Sequence, residues 1–496
     1  MMKRLLVLLL LLASRANATI TFFGVASAPA DNGAQVGATV AVVPPTSMLV
    51  GDLAVMIAQN RSGTVGNVRI SEPGGQGWSF TQELVDATGG LGSGGVATAL
   101  VARVFWTTFN GTWGANPSVT LTNADTTTAL TVVMMVFRPT SGTKFWVGDV
   151  GPNYNNFAAP SSPFTETITG ITTVAPSTVT IGLWAASAAN TWGTLSGSGW
   201  SKTSLSAQYR NTSGSGQSLS LAYNIRTTAG AVANVSQNES AGTSGGVSIL
   251  SLAETTLPTG GGTGSTGRIQ FAATTLGSPG ATSIATTFST AIGSGHAVIC
   301  SAHFETATPV YPTTASDDKS NSYVILSRVG NTLFGQDQIV FFSPNITNGP
   351  VTVTLNFSDL STFRNIICHE VDNANAFDKF GGVDHALVDA FSTETISTIP
   401  ALTPTMSNSY LFGTCHNPQS KETTPFITPA AGWTKVTERT DDNYATADRI
   451  SSSSLQYTWT ITLGRDQIGT IAVFSPFVAV AGNKSFSKIS RLEKYD

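Results

Sequence analysis

Short apolar runs separated by polar turn clusters recur along the whole chain. Each run holds four to eight apolar or β-branched residues, the breaks are rich in Gly, Asn, Ser, Thr and Pro, and no 3.6-residue period is sustained. This pattern predicts strands rather than helices, and their regular recurrence predicts an all-β sandwich. Runs such as Val132-Val133-Met134-Met135-Val136-Phe137 are apolar at both parities. They predict central strands covered on both faces, because side chains alternate between the two sides of a sheet.

The pattern repeats. Gly51 to Gln59 (GDLAVMIAQ) is answered by Gly295 to His303 (GHAVICSAH), and Ser118 to Thr122 by Thr352 to Asn356. Val132 to Arg138 is answered by Ile366 to Asp372, Thr165 to Ile168 by Thr393 to Ile396, and Gly199 to Thr203 by Gly432 to Val436. Five matches in one order mark an internal duplication. A Gly/Thr-rich stretch, Pro258 to Gly267, separates the copies and is too polar to pack. The expected architecture is therefore all-β, with two tandem jelly-roll-like antiparallel β-sandwich domains on a flexible linker. Copy one is placed at 19–254, the linker at 255–267 and copy two at 268–477, with a mildly basic tail at 478–496 carrying Lys484, Lys488, Arg491 and Lys494. The linker is expected to act as the main hinge and the first site of limited proteolysis.

Composition narrows the class further. Only 11% of the 496 residues are charged, and the net charge is -4. Ser and Thr supply about a quarter of the chain and Gly another 49 residues, a composition that suits strands and tight turns. No basic block lies in the body of the chain, which excludes an electrostatic grip on nucleic acid. At the N-terminus, Lys3 and Arg4, the apolar run Leu5 to Ala13 and the small-x-small site Ala16-Asn17-Ala18 predict a signal peptide over 1–18. That run is too short for a membrane span, which needs about 20 residues, so a secreted or cell-surface protein is expected. Cys300, Cys368 and Cys415 align with apolar residues of the other copy, Met56, Met134 and Trp184. They are expected to be three buried, reduced thiols.

The Gly-Asp-Leu-x-Val start, the Asp-x-x-x-Asn-x-Tyr turn from Asp317 to Tyr323 and the late Gly-Trp-Thr strand resemble a β-sandwich module of bacterial secreted and surface proteins. Related modules occur in some phage tail proteins. Copy two carries the resemblance nearly throughout and copy one more loosely, since Asn224-Ile225-Arg226 stands where copy two has Asp448-Arg449-Ile450. The resemblance implies an extracellular or adhesive setting and brings no catalytic residue set.

Candidate chemistry is sparse. Gly242-Thr243-Ser244-Gly245-Gly246 matches a nucleophile elbow in letters only, since a strand-like run follows it and copy one contains no histidine. Glu370, Asp372 and Asp384 could supply the paired carboxylates of a glycosidase, although copy one places Val136 and Arg138 opposite the first two. Asp317-Asp318-Lys319-Ser320-Asn321 could offer oxygens to Ca²⁺, and a hairpin turn explains the same residues. Trp113 and Trp192 sit in Asn/Gly/Thr-rich, turn-like surroundings and are the candidate platforms for stacking on a sugar. His303, His369 and His416 lie three, one and one residues from the nearest Cys, so their rings should leave the thiol side of the strands. Were those strands neighbours, the three imidazoles could share a Zn²⁺.

No catalytic set is common to both copies. The leading expectation is a secreted, non-enzymatic protein for surface attachment or glycan binding, its partner an extracellular glycan or surface polymer. The alternatives are a self-assembling structural subunit of a surface layer, filament or phage or virus particle, and a secreted glycan-degrading enzyme.

Overall fold

The computed structural model describes residues 19–476, apart from 29–38, 62–68, 71–76, 82–83, 86–99, 123–128, 141–143, 158–163, 204–208, 213–215, 258–265, 277–279, 306–311, 332–335, 386–392, 418–426, 440–442, 462–466 and the single residues 348, 350, 362 and 399. The expected signal peptide at 1–18, the centre of the expected linker at 255–267 and the tail expected at 478–496 lie outside the described residues. Among the described residues every regular element is a strand, every pairing is antiparallel, and no helix is long and apolar enough to cross a membrane.

One strand order recurs four times, over residues 21–138, 145–255, 267–372 and 376–475, here called units one to four. Units three and four each have eight strands. Counted along the chain, the large sheet runs first, eighth, third, sixth, fifth, and the small sheet runs second, seventh, fourth. Unit one keeps this order with its fifth strand split in two. Unit two keeps the large sheet and reduces the small one to short pairs plus the Ser196–Ser236 bridge. Each half of the duplication thus contains two like units.

The same local chemistry starts the third strand in every unit. A residue in the left-handed backbone region, Gly51, Ser177, Gly295 or Asn408, turns the chain into the strands Leu53–Arg61, Thr178–Ala186, Ala297–Glu305 and Ser409–His416. These third strands are almost wholly buried because both faces are covered. In unit one Ala54 and Met56 face the small sheet through Val119 and Leu121, while Leu53, Val55 and Ile57 meet Val179, Ile181 and Leu183 of unit two. In unit three Val298, Cys300 and Ala302 face Ile284 and Leu355, and Ile299 lies toward Tyr410 and Phe412 of unit four. Each half is therefore four layers deep, small sheet, large, large, small. That is the physical reason for strands without an alternating pattern.

The halves are also pinned to each other. Arg103 of unit one, 1% exposed, donates to the carbonyls of Thr81 (2.9 Å), Ile70 (2.8 Å) and Gly330 of unit three. Arg328 of unit three forks onto both oxygens of Asp337 (2.8 and 2.7 Å) and donates to the Gly151 carbonyl of unit two at 2.9 Å. At Gly77 (φ +71) a Cβ would lie 2.3 Å from the Phe380 carbonyl of unit four, so only glycine allows that approach.

The expectation of three reduced thiols is corrected. Cys300 and Cys368 stand directly opposite each other on neighbouring strands, with Cα atoms 4.0 Å apart, and form a disulfide. The unit-one residues at these places, Met56 and Met134, are also directly opposed. The apolar alignment therefore identified a packed cross-strand pair without revealing that its members touch. Cys415 is the free, buried thiol among the described residues, and burial raises its pKa well above the ordinary range.

Candidate functional site

Three histidines of the second half, His303, His369 and His416, lie between the large sheets of units three and four. His303 and His416 are fully buried, come from opposing sheets and stack with ring centroids 3.4 Å apart and planes 18° from parallel. Glu305 lies beside them, and the ligand atoms of these three residues are all within 4.8 Å of one another. Gln336 Nε2 holds a Glu305 oxygen at 2.5 Å. The alternation along Ala297–Glu305 puts His303 and Glu305 on one face. The His-x-Glu spacing was therefore a readable signal for a residue the sequence reading passed over.

His369 does not join them. Its Nδ1 lies 2.8 Å from the Tyr410 hydroxyl and its Nε2 3.0 Å from Thr446 Oγ1. Tyr410 donates to Asp448 at 3.0 Å, and Asp448 accepts from Arg268 at 2.5 Å. With the tyrosine proton committed to Asp448, His369 donates from Nδ1 and accepts the Thr446 hydroxyl proton at Nε2. Burial, assisted by the charge of Arg268, holds this imidazole well below its usual pKa. It is a neutral member of a buried polar chain that ties the two sheets.

The acidic candidates are similarly engaged. Glu370 Oε1 accepts from Gly293 N (2.8 Å) and faces His296 Nδ1 (2.6 Å), while Oε2 accepts from Gln270 (2.6 Å). Asp372 lies 3.8 Å from the other nitrogen of His296. This constellation holds the start of the strand Ala297–Glu305. The side chain of Asp384 lies outside the described residues. In the Asp317 turn both carboxylate oxygens accept protein donors, Lys319 N and Asn321 N on one and Asn321 Nδ2 and Tyr323 OH on the other. Asp318 accepts from Thr352 N. This is the arrangement of an Asx turn.

Neither candidate tryptophan stands out as a bare platform. Trp192 is 3% exposed, packs among Ile168, Trp184 and Val235 in unit two, and donates to Ser218 Oγ at 3.2 Å. Trp113 is half-buried, edge-on to Phe109 at 5.0 Å and tilted against Trp78 at 5.8 Å. Beyond Trp78 a cleft of about 250 Å³ opens where all four units meet, lined by Asn110, Phe145, Leu326, Asp378, Lys379 and Phe380 among others. Its charges are already partnered. Asp378 accepts from Thr405 N and Oγ1, both at 2.7 Å, and Lys379 donates to the Thr403 carbonyl at 2.5 Å.

Glu166 and Glu239 lie in the interior of unit two, 6% and 0% exposed. Burial, reinforced by the neighbouring Glu239 charge, pushes Glu166 up to about 7, and burial raises Glu239 as well. The sequence offers no sign of this pair, because the two residues are 73 apart and meet only through strand pairing. A carboxyl raised in the folded state stabilises fully below its unfolded value of 4.5, and that contribution is lost as pH rises through about 7. Glu166→Gln is therefore expected to leave stability at pH 4.5 nearly unchanged and to raise it at pH 8 by on the order of 2 kcal/mol. Denaturant midpoints across this range provide the check. An equal effect at both pH values would show that Glu166 titrates normally.

No protein-family model matches this chain, and neither curated proteins nor solved structures supply a match.

Proposed function

We propose that this is a secreted, non-enzymatic attachment protein whose repeated outer sheets lie against hydroxyl-rich surface polymers. Its strand order, first-eighth-third-sixth-fifth over second-seventh-fourth, is read as a jelly roll used four times, as two tandem pairs on the linker. The observation that carries the functional reading is the outer face of the small sheets. Each unit displays paired hydroxyls or amides across its strands. They are Thr39–Thr120 in unit one, Thr165–Asn238 and Thr167–Ser236 in unit two, Thr287–Thr352 and Thr314–Asn356 in unit three, and Thr395–Thr460 and Ser397–Thr458 in unit four, at 2.7 to 3.2 Å.

Cross-strand Thr pairs stabilise any sheet, but a fourfold outward, uncharged, hydroxyl-bearing face also matches the surface of a polysaccharide. Repetition adds avidity where several units reach one polymer. The signal-like N-terminus supports export, and the disulfide is at home in an oxidising compartment. Against an enzyme stand the engaged carboxylates of Glu370 and of the Asp317 turn.

The test is co-sedimentation of the full chain with insoluble cellulose, chitin and peptidoglycan, together with a reducing-sugar assay. Retention on at least one polymer is expected, with little dependence on salt because the faces are uncharged. No sugar should be released. Thr167→Lys combined with Thr395→Lys should lower retention at least threefold with unchanged folding. Absence of retention on all polymers, or release of reducing sugar, would overturn the reading. Self-assembly is favoured by a different feature, the exposed Ile269 (57%) and Phe271 (40%) on the edge strand Gly267–Leu276. Light scattering that rises with protein concentration and falls in Phe271→Lys would support it.

A further inference from the structure

We infer that His303, His416 and Glu305 form a binding site for one divalent transition ion of the zinc class, holding the large sheets of units three and four together. The two histidines occupy equivalent places. Each stands eight residues after the left-handed residue that opens its strand, Gly295 and Asn408, and the same count from Gly51 and Ser177 leads to Gln59 and Ala185 in the first half. The packing of units three and four across their large sheets therefore brings two copies of one position face to face.

The fold itself does not require imidazoles there. In the first half Gln59 spans the same kind of interface, with Nε2 donating to the Ala186 carbonyl (3.4 Å) and the Ser218 carbonyl (3.1 Å). Two fully buried imidazoles with a carboxylate beside them are a different chemical choice. They form a two-nitrogen, one-oxygen donor set, the composition found in three-ligand zinc sites that leave a fourth position for water.

Distances are within reach of an ion. Zn–N and Zn–O bonds of about 2.0–2.2 Å place two ligand atoms up to about 4 Å apart, and the three ligand atoms here lie within 4.8 Å of one another. The remaining motion is a turn of one ring. Lone pairs of imidazole lie in the ring plane, so two nearly parallel rings 3.4 Å apart converge on one ion only after one rotates about its Cβ–Cγ bond. Gln336 orients the carboxylate at 2.5 Å, the outer contact that ligating carboxylates commonly have. Glu305 is the partly exposed member of the three and marks the side from which an ion would enter.

The test uses the full chain, treated with EDTA, dialysed against Zn²⁺ and analysed for bound metal, with Co²⁺ as a spectroscopic probe. One Zn²⁺ per chain is expected, with a rise in thermal midpoint on Zn²⁺ addition and visible Co²⁺ bands of a four- or five-coordinate site. His303→Gln and His416→Ala install the residues of the first half, and each should abolish retention. Glu305→Gln should weaken it at least tenfold. His296→Gln, a change at a half-exposed histidine outside the cluster, should retain the ion. No Zn²⁺ retained by the wild type, retention unchanged in both His303→Gln and His416→Ala, or loss in His296→Gln would each overturn the assignment. Should one cluster variant fail to fold, as read by circular dichroism, the other and Glu305→Gln decide the matter.

Discussion

Asp337→Ala is expected to destabilise the protein by about 3–5 kcal/mol, the usual consequence of leaving a buried charge without its partner. Asp337 is 0% exposed and Arg328 6% exposed, and the guanidinium grips both carboxylate oxygens. The arginine cannot shed its proton and has no route to solvent without disturbing its bond to the Gly151 carbonyl. Because that bond joins unit three to unit two, the variant should also loosen the contact between halves and speed proteolytic separation. Replacing both partners, Arg328→Met with Asp337→Leu, should cost far less than the single change, since it removes both desolvation penalties. Denaturant unfolding followed by intrinsic fluorescence measures both. A single-variant loss below 1 kcal/mol would show that water reaches the pair.

Breaking the Cys300–Cys368 bond should cost up to about 4 kcal/mol, the loop-closure value for a separation of 68 residues. Both cysteines are fully buried, so reduction should be slow until unit three opens and then shift its unfolding to a lower denaturant concentration. Cys300→Ala with Cys368→Ala should reproduce the loss without reductant and add a smaller penalty for lost volume. Cys415, outside the bond, should leave the redox dependence intact when changed to Ala. Mass spectrometry showing three free thiols in the oxidised protein would refute the pairing, and a midpoint insensitive to reductant would refute its role in stability.

The strands, the lack of helix among the described residues and the doubly covered central runs were legible in the sequence. These depend on local propensity and on the parity of apolar residues, which neighbouring positions alone encode. The duplication was legible too, and a finer repeat was present in the same letters. Gly77-Trp78, Gly199-Trp200 and Gly432-Trp433 each open a fifth-strand region, and the left-handed Gly77, Gly199 and Gly432 belong to three different units. The parity argument correctly sent His303 and His369 away from the Cys300–Cys368 side.

Which groups meet was decided only by tertiary structure. Cys300 finds Cys368 through strand register, across 68 residues. His303 finds His416 because two large sheets stack face to face, and His369, on the same face, is captured by Tyr410 and Thr446 instead. Trp192 looks like a loop platform in sequence, yet the small pairs of unit two fold over it and bury its ring. Periodicity specifies which face of a strand a residue occupies. It carries no information on the strand or sheet brought opposite, because that choice is made by packing summed over whole layers.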